Sequence, residues 1–204
     1  MDGNLSFVRV GDVESVWDDL LDIYRECWAH KLHLPHYAPG AFGERLRRHA
    51  GEPGWEAVVA YDSGEPVGYL YANRLTGAED RWWRRTRPEP EPGIASASTV
   101  AVKEMMVRQR WRRQGIARGL HDVLLAGRAE TQASLMVNPL NQDGRVQALY
   151  VAWGYRAVGT AQSSPEAPVL TVMVSRCPGP PCRGGGGPGG SRWLRPRGPS
   201  RRAR

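Results

Sequence analysis

Between residues 103 and 117 the chain reads Lys103-Glu104-Met105-Met106-Val107-Arg108-Gln109-Arg110-Trp111-Arg112-Arg113-Gln114-Gly115-Ile116-Ala117. A strand-like run ends near Val107, a basic turn follows, and Gly115 opens an amphipathic helix with Ile116, Leu120, Leu124 and Leu125 on one face. The first N–H groups of a helix lack partners and carry a partial positive charge. Such an end suits an anion, and a pyrophosphate in particular. Gly115 has no Cβ, so a phosphate can approach the backbone, and Arg112 and Arg113 add charged donors. The further glycines of a Walker A loop or a dinucleotide fingerprint are absent. On these residues alone the stretch is either an anion site or an ordinary helix start behind a solvated basic turn.

The elements around this stretch alternate between strand and helix signals. Leu5 to Val10 reads as a strand, and Asp12 as the N-cap of a helix from Val13 to about His30. A short helix is expected from Phe42 to His49. Trp55 to Tyr61 and Val67 to Asn73 read as strands joined by a hairpin at Asp62-Ser63-Gly64-Glu65-Pro66. Gly77 to Ala97 is polar and rich in proline, a long loop. Thr99 to Val107, Ala133 to Val137, Tyr155 to Thr160 and Val169 to Ser175 read as strands. Helices are expected from Gly115 to Arg128 and from Arg145 to Trp153. The sum is an α/β domain with a mixed, mostly antiparallel sheet flanked by helices.

Arg112-Arg113-Gln114-Gly115-Ile116-Ala117 resembles the R/Q-x-x-G-x-G/A signature of the GNAT superfamily of N-acetyltransferases. It follows the expected strand and opens the expected helix. Ala148-Leu149-Tyr150-Val151-Ala152-Trp153-Gly154-Tyr155 is similar to the family's A-L-Y-x-x-x-G-F/Y block, at the right separation. The resemblance covers about residues 5–176 and implies a GNAT-like fold. It also implies transfer of an acetyl group from acetyl-CoA, as co-substrate, to a primary amine in a ternary complex.

Further roles follow from the same resemblance. The backbone of Arg112, Arg113, Gln114, Gly115, Ile116 and Ala117 would hold the CoA pyrophosphate. Met106 and Val107 would pair with the pantetheine arm as an extra strand, a backbone N–H there polarising the thioester carbonyl. An alkyl amine is protonated near pH 7 and needs a base. Glu104 occupies the position where many family members keep a glutamate, on the same strand face as Met106 and opposite Met105 and Val107. Tyr150 matches the family's tyrosine that returns a proton to the leaving thiolate. The family's pantetheine-contacting asparagine is displaced here, because Asn138-Pro139-Leu140-Asn141-Gln142-Asp143-Gly144 looks lengthened; Asn141 is the candidate. Cys27 falls in an expected amphipathic helix, which argues against a covalent cysteine intermediate.

Other patterns carry less chemistry. His30, His33 and His36 do not suit a metal, since Pro35 breaks any helix that would present all three. No metal is expected. Trp82 and Trp83 sit among Arg81, Arg84 and Arg85, but Glu79, Asp80, Glu89 and Glu91 dilute the charge. This segment is expected to form a substrate-side flap.

The chain has 204 residues, with 28 Lys and Arg against 21 Asp and Glu. Residues 177–204 hold seven of those arginines, eight glycines, six prolines and no acid, so the remaining 176 residues balance at 21 and 21. A neutral body has no net field to attract nucleic acid, and only the tail could do so. The domain is therefore expected over 1–176 and a disordered Arg/Gly/Pro-rich tail over 177–204. No apolar run long enough for a membrane span and no signal peptide are visible, and three cysteines do not make a disulfide scaffold, so a cytoplasmic setting is the default. The acceptor, a small molecule or a peptide amine, has no transferable motif, and the resemblance leaves a homodimer open. The alternative is a non-catalytic acyl-CoA-binding or sensing module on the same fold.

Overall fold

The computed structural model describes residues 4–163 and 167–177. Its strands are β1 (Leu5–Val10), β2 (Glu56–Asp62), β3 (Glu65–Arg74), β4 (Thr99–Val107), β5 (Gln132–Val137), β6 (Arg156–Ala161) and β7 (Leu170–Arg176). The helices are α1 (Trp17–Cys27), α2 (Pro39–Ala50), α3 (Arg81–Arg84), α4 (Pro92–Ala95), α5 (Ile116–Ala126) and α6 (Arg145–Ala152). One seven-stranded sheet runs in the order β1-β2-β3-β4-β5-β7-β6. Every neighbouring pair is antiparallel except β4 and β5. This is the expected mixed, mostly antiparallel sheet.

The sheet separates two apolar layers. On one face α1 and α2 bury Leu20, Ile23, Tyr24, Phe42 and Leu46 against Trp55, Val59, Tyr69, Tyr71 and Met106. The Tyr24 and Phe42 rings stack at 3.9 Å, tying the two helices together. On the other face α5 buries Ile116, Leu120, Leu124 and Leu125 against Val58, Leu70, Val100, Val102 and Leu135.

Several boundaries differ from the sequence reading. The first helix is shorter than 13–30. Asp12 does accept a backbone N–H, that of Glu14 at 3.1 Å, but it starts a 3₁₀ turn at Glu14–Val16. Val16 then leaves helical geometry (φ −131°, ψ 11°), so α1 begins only at Trp17. The 77–97 segment is not a plain loop. Asp80 caps α3 through the Trp82 N–H at 2.9 Å, and Pro92 occupies the first turn of α4. Trp83 and Ile94 are buried with Leu75, Val172 and Val174, and this packing orders two single turns that lack any periodic signal. The folded body also extends past residue 176. Cys177 is buried and its N–H donates to the Thr131 carbonyl at 3.0 Å. The expected tail beyond it, with Cys182, lies outside the described residues.

Two irregularities in the sheet position the site. β4 carries an extra residue opposite β3: Glu104 faces Tyr71 and Val102 faces Ala72, leaving Lys103 as a bulge. The bulge resets the alternation. Val100 and Val102 pack with α5, whereas Met106 packs with α1 and α2, and Glu104 reaches groups on that same side. Beyond it β4 parts from β5. Their parallel pairing runs from Thr99–Gln132 to Val102–Leu135 and stops, although both strands continue.

Candidate active site

The turn after β4 is held in place from both sides. The Trp111 indole N–H donates to Asp62 Oδ2 at 3.0 Å, and the Arg108 guanidinium bonds the Pro66 carbonyl at 2.8 Å and pairs with Glu26. Arg113 and Gly115 both have positive φ, 64° and 81°. A Cβ on Gly115 would meet nothing within 4 Å, so the backbone conformation, not crowding, requires glycine there. α5 follows at once. The Gly119 N–H closes on the Gly115 carbonyl at 2.9 Å, so the N–H groups just before it belong to the free first turn. Ile116 is buried and anchors the helix, while Arg112, Arg113, Gln114 and Gly115 are exposed and Ala117 is half-buried. The structure thus presents an open, cationic helix start at residues 112–117. Arg112 also turns back, its Nε donating to the Val107 carbonyl at 2.9 Å.

The open edge of β4 lies beside this turn. Met106 is buried against the α1 and α2 layer, and Val107 lies against the α5 layer. The Cys27 thiol donates to the Val107 carbonyl at 3.5 Å, and burial raises its pKa above the ordinary thiol value.

Glu104 sits in a polar cluster under α2. The Tyr71 hydroxyl donates to Glu104 Oε2 at 3.5 Å, and the Arg45 guanidinium lies 3.8 Å from the same oxygen. Burial raises the Glu104 pKa, while Arg45 and Tyr71 oppose the rise. The Tyr71 hydroxyl is also 3.2 Å from His49 Nδ1. Burial, then the charges of Lys103, Arg48 and Arg45, push His49 down to about 3, so it is neutral near pH 7. Tyr69 adds to the same layer a buried hydroxyl that has no hydrogen-bond partner among the described residues.

Tyr150 belongs to the opposite layer. It is 7% exposed, edge-on to Trp153 and Tyr155 with centroids at 5.5 and 5.7 Å. Burial raises its pKa and keeps the phenol protonated. Asn141 lies in the turn before α6. Its N–H donates to the Asn138 carbonyl at 3.0 Å and its carbonyl accepts from Gly144 at 3.2 Å. The lengthened segment is accommodated by positive φ at Gln142, Asp143 and Gly144. Among the described residues no group of three or more His, Cys, Asp and Glu side chains is gathered as for a metal ion. No helix among them is long and apolar enough to cross a membrane.

A cleft of about 560 Å³ opens next to the bulge, between the end of α2, the α3 segment and the rim formed by β6 and β7. His49 and Lys103 line it, so the chain His49–Tyr71–Glu104 leads from the cleft into the sheet. Trp82 forms part of the wall, its indole N–H fixed on Ser134 Oγ at 2.9 Å, and Trp83 packs beneath. Arg45, His49 and Tyr71 escaped the sequence reading. They come from α2 and β3, and only the β3–β4 register brings them to Glu104.

A family model for the acetyltransferase (GNAT) family matches residues 16–155. No curated protein matches the chain significantly. Among solved structures, a protein of Pyrococcus horikoshii OT3 has a TM-score of 0.61 at 16% identity, over 85% of this chain and 98% of that one. An aminoglycoside 6'-acetyltransferase type Ii has a TM-score of 0.57 at 18% identity, over 85% and 96%. A PaiA N-acetyltransferase from Thermoplasma acidophilum, in complex with coenzyme A, has a TM-score of 0.52 at 10% identity, over 84% and 99%. At these identities the likeness is one of fold.

Proposed function

The chain belongs to the acetyltransferase (GNAT) family, and on that premise we propose that it transfers the acetyl group of acetyl-CoA to a primary amine by direct attack. The observation that carries this reading is the parting of β4 from β5 beyond Val102 and Leu135, with the open Gly115 turn at the end of β4. Acetyl-CoA supplies an acetyl group activated as a thioester. The N–H groups and arginines of residues 112–117 suit its pyrophosphate. The edge of β4 around Met106 and Val107, beyond the last rung shared with β5, suits the amide-bearing pantetheine arm, as a strand suits a missing neighbour.

The rest of the chemistry falls to the chain's own side chains. Glu104, directly or through Tyr71 and water, takes a proton from the acceptor ammonium. The amine nitrogen then bonds to the acetyl carbon as the carbon–sulfur bond breaks. The departing thiolate takes the phenolic proton of Tyr150, which the raised pKa has kept in place. Glu104 and Tyr150 belong to opposite faces of the sheet, so the proton acceptor and the proton donor are held on different layers. Cys27, held as a thiol, is a poor nucleophile, which favours direct attack. Acetyl-CoA is a cytoplasmic metabolite, in keeping with a cytoplasmic setting.

Calorimetric titration of acetyl-CoA, followed by thiol release across an amine panel, tests the reading. Binding with turnover supports it. Binding without turnover on any amine would make the domain a sensing module, and no binding to a folded chain would sink both.

A further inference from the structure

The cleft beside the Lys103 bulge has a charge bias that the sequence totals conceal. Arg48, Arg74, Arg81, Arg85 and Lys103 line it, against the carboxylates Glu52, Glu79 and Asp80. All three carboxylates are already engaged. Glu52 pairs with Lys103 at 3.0 Å, and Glu79 pairs with Arg84 at 2.7 Å. Asp80 accepts from the Thr76 N–H and hydroxyl and from the Trp82 N–H. Among the described residues, none of Arg48, Arg74, Arg81 and Arg85 has a carboxylate within 4.0 Å.

Resting on the acetyltransferase reading, we propose that this cleft is the acceptor subsite and that the acceptor is a compact amine also bearing an anionic group, a carboxylate or a phosphate. Its location fits. The cleft touches Val102 and Lys103, where β4 leaves β5, and reaches Glu104 through His49 and Tyr71. At about 560 Å³ it lies in the range of small-molecule pockets. Free guanidinium forks match carboxylate and phosphate oxygens. The Trp82 ring, 5.0 Å from the Lys103 ammonium, offers an apolar wall for the carbon skeleton. A cationic lining also disfavours the ammonium form of the bound amine and so assists its deprotonation. The same lining repels a polycation, so an aminoglycoside is a poor fit for this cleft.

The full chain with acetyl-CoA is assayed by thiol release on matched probes. These are the standard amino acids and their carboxamides, phosphoethanolamine and ethanolamine, and kanamycin. The same probes are titrated calorimetrically into the CoA-bound chain, a readout that needs no turnover. The inference expects an anionic member to exceed its neutral partner at least tenfold in kcat/KM and in affinity. The winning pair tells carboxylate from phosphate. The double variant R48Q/R81Q changes two exposed side chains and should bring that ratio towards one at unchanged acetyl-CoA affinity. Neutral amines or kanamycin binding as well as the anionic probes would overturn the inference, and so would discrimination that survives the double variant. Loss of the acetyl-CoA isotherm itself would instead overturn the underlying acetyltransferase reading.

Discussion

Val102 of β4 faces Leu135 of β5, and this is the last rung that the two strands share. Both strands run on, β4 to Val107 beside β3 and β5 to Val137 beside β7. A parallel pair that separates while each member keeps its other neighbour opens a slot inside the sheet. The Lys103 bulge stands at the point of separation and turns Glu104 towards α2. The same break thus exposes a strand edge and aims a carboxylate beside it.

Gly115 separates conformational strain from ligand repulsion. A Cβ there has open space but must adopt φ of 81°. Gly115→Ala should cost about 1–2 kcal/mol of stability and weaken acetyl-CoA binding only modestly. Gly115→Glu carries the same strain and adds a negative charge to the helix start. Thermal melts and calorimetry should show similar stability for both variants, with binding lost in the glutamate alone. Equal affinities would move the pyrophosphate elsewhere.

Glu104 should control the acidic limb of the rate profile. Its pKa is raised above the ordinary carboxylate value, and only the deprotonated form accepts a proton. The rate should therefore rise with pH through that raised value and then level off as regards this group. Glu104→Gln should lower kcat by about 10²-fold or more, remove that limb and leave acetyl-CoA affinity near wild type. A variant that keeps the limb would shift the base role to another group.

Much of this arrangement could be read from local sequence, and the remainder could not for identifiable reasons. The strand Thr99–Val107 and the glycine that opens α5 were legible because strand composition, positive φ and helix periodicity are local properties. The one-turn helices at Arg81 and Pro92 were not, since Trp83 and Ile94 order them through contacts with β7 and Leu75. Arg45, Tyr71 and His49 were equally hidden. Their role depends on Tyr71 facing Glu104 across a bulged register, which no spacing within α2 or β3 encodes. Charge totals are equally blind to distribution: a body balanced overall gathers Arg48, Arg74, Arg81, Arg85 and Lys103 around one cleft.

Tyr150 tests the other end of the reaction. Burial keeps its phenol protonated, so it can give a proton to a thiolate. Tyr150→Phe retains the packing on Trp153 and Tyr155 and removes only the hydroxyl. We expect kcat to fall by about 10²-fold with little change in stability or acetyl-CoA affinity. Turnover at the wild-type rate would assign thiolate protonation to solvent.

His49 should leave a signature in the pH dependence of stability. An unfolded histidine titrates near 6.5, but folded His49 stays neutral down to about 3. Below about pH 6.5 the unfolded chain binds a proton that the native one refuses. The stabilisation is present above that pH and is progressively lost as pH falls towards 3. His121 has a lowered pKa as well and adds to the slope, whereas Glu104, raised, acts in the opposite sense. The difference between wild type and His49→Gln isolates the residue. Denaturant melts at pH 7 and pH 4.5 should show a smaller loss in the variant; an identical loss would mean that His49 is solvated.

Gly68 links packing to the proposed cofactor slot. It faces Val107 in the β3–β4 register, and a Cβ there would lie 2.8 Å from the Met106 carbonyl oxygen. That neighbour is backbone, so relief requires the end of β4 to move. Gly68→Ala should destabilise by about 1–3 kcal/mol and, if Met106 and Val107 form the edge proposed for pantetheine, also weaken acetyl-CoA binding. Gly11→Ala is the control: no positive φ constrains Gly11 and nothing lies within 4 Å of its Cβ. If Gly68→Ala loses stability but binds acetyl-CoA as wild type does, the end of β4 is not a cofactor edge, and the slot beyond Val102 must serve something else.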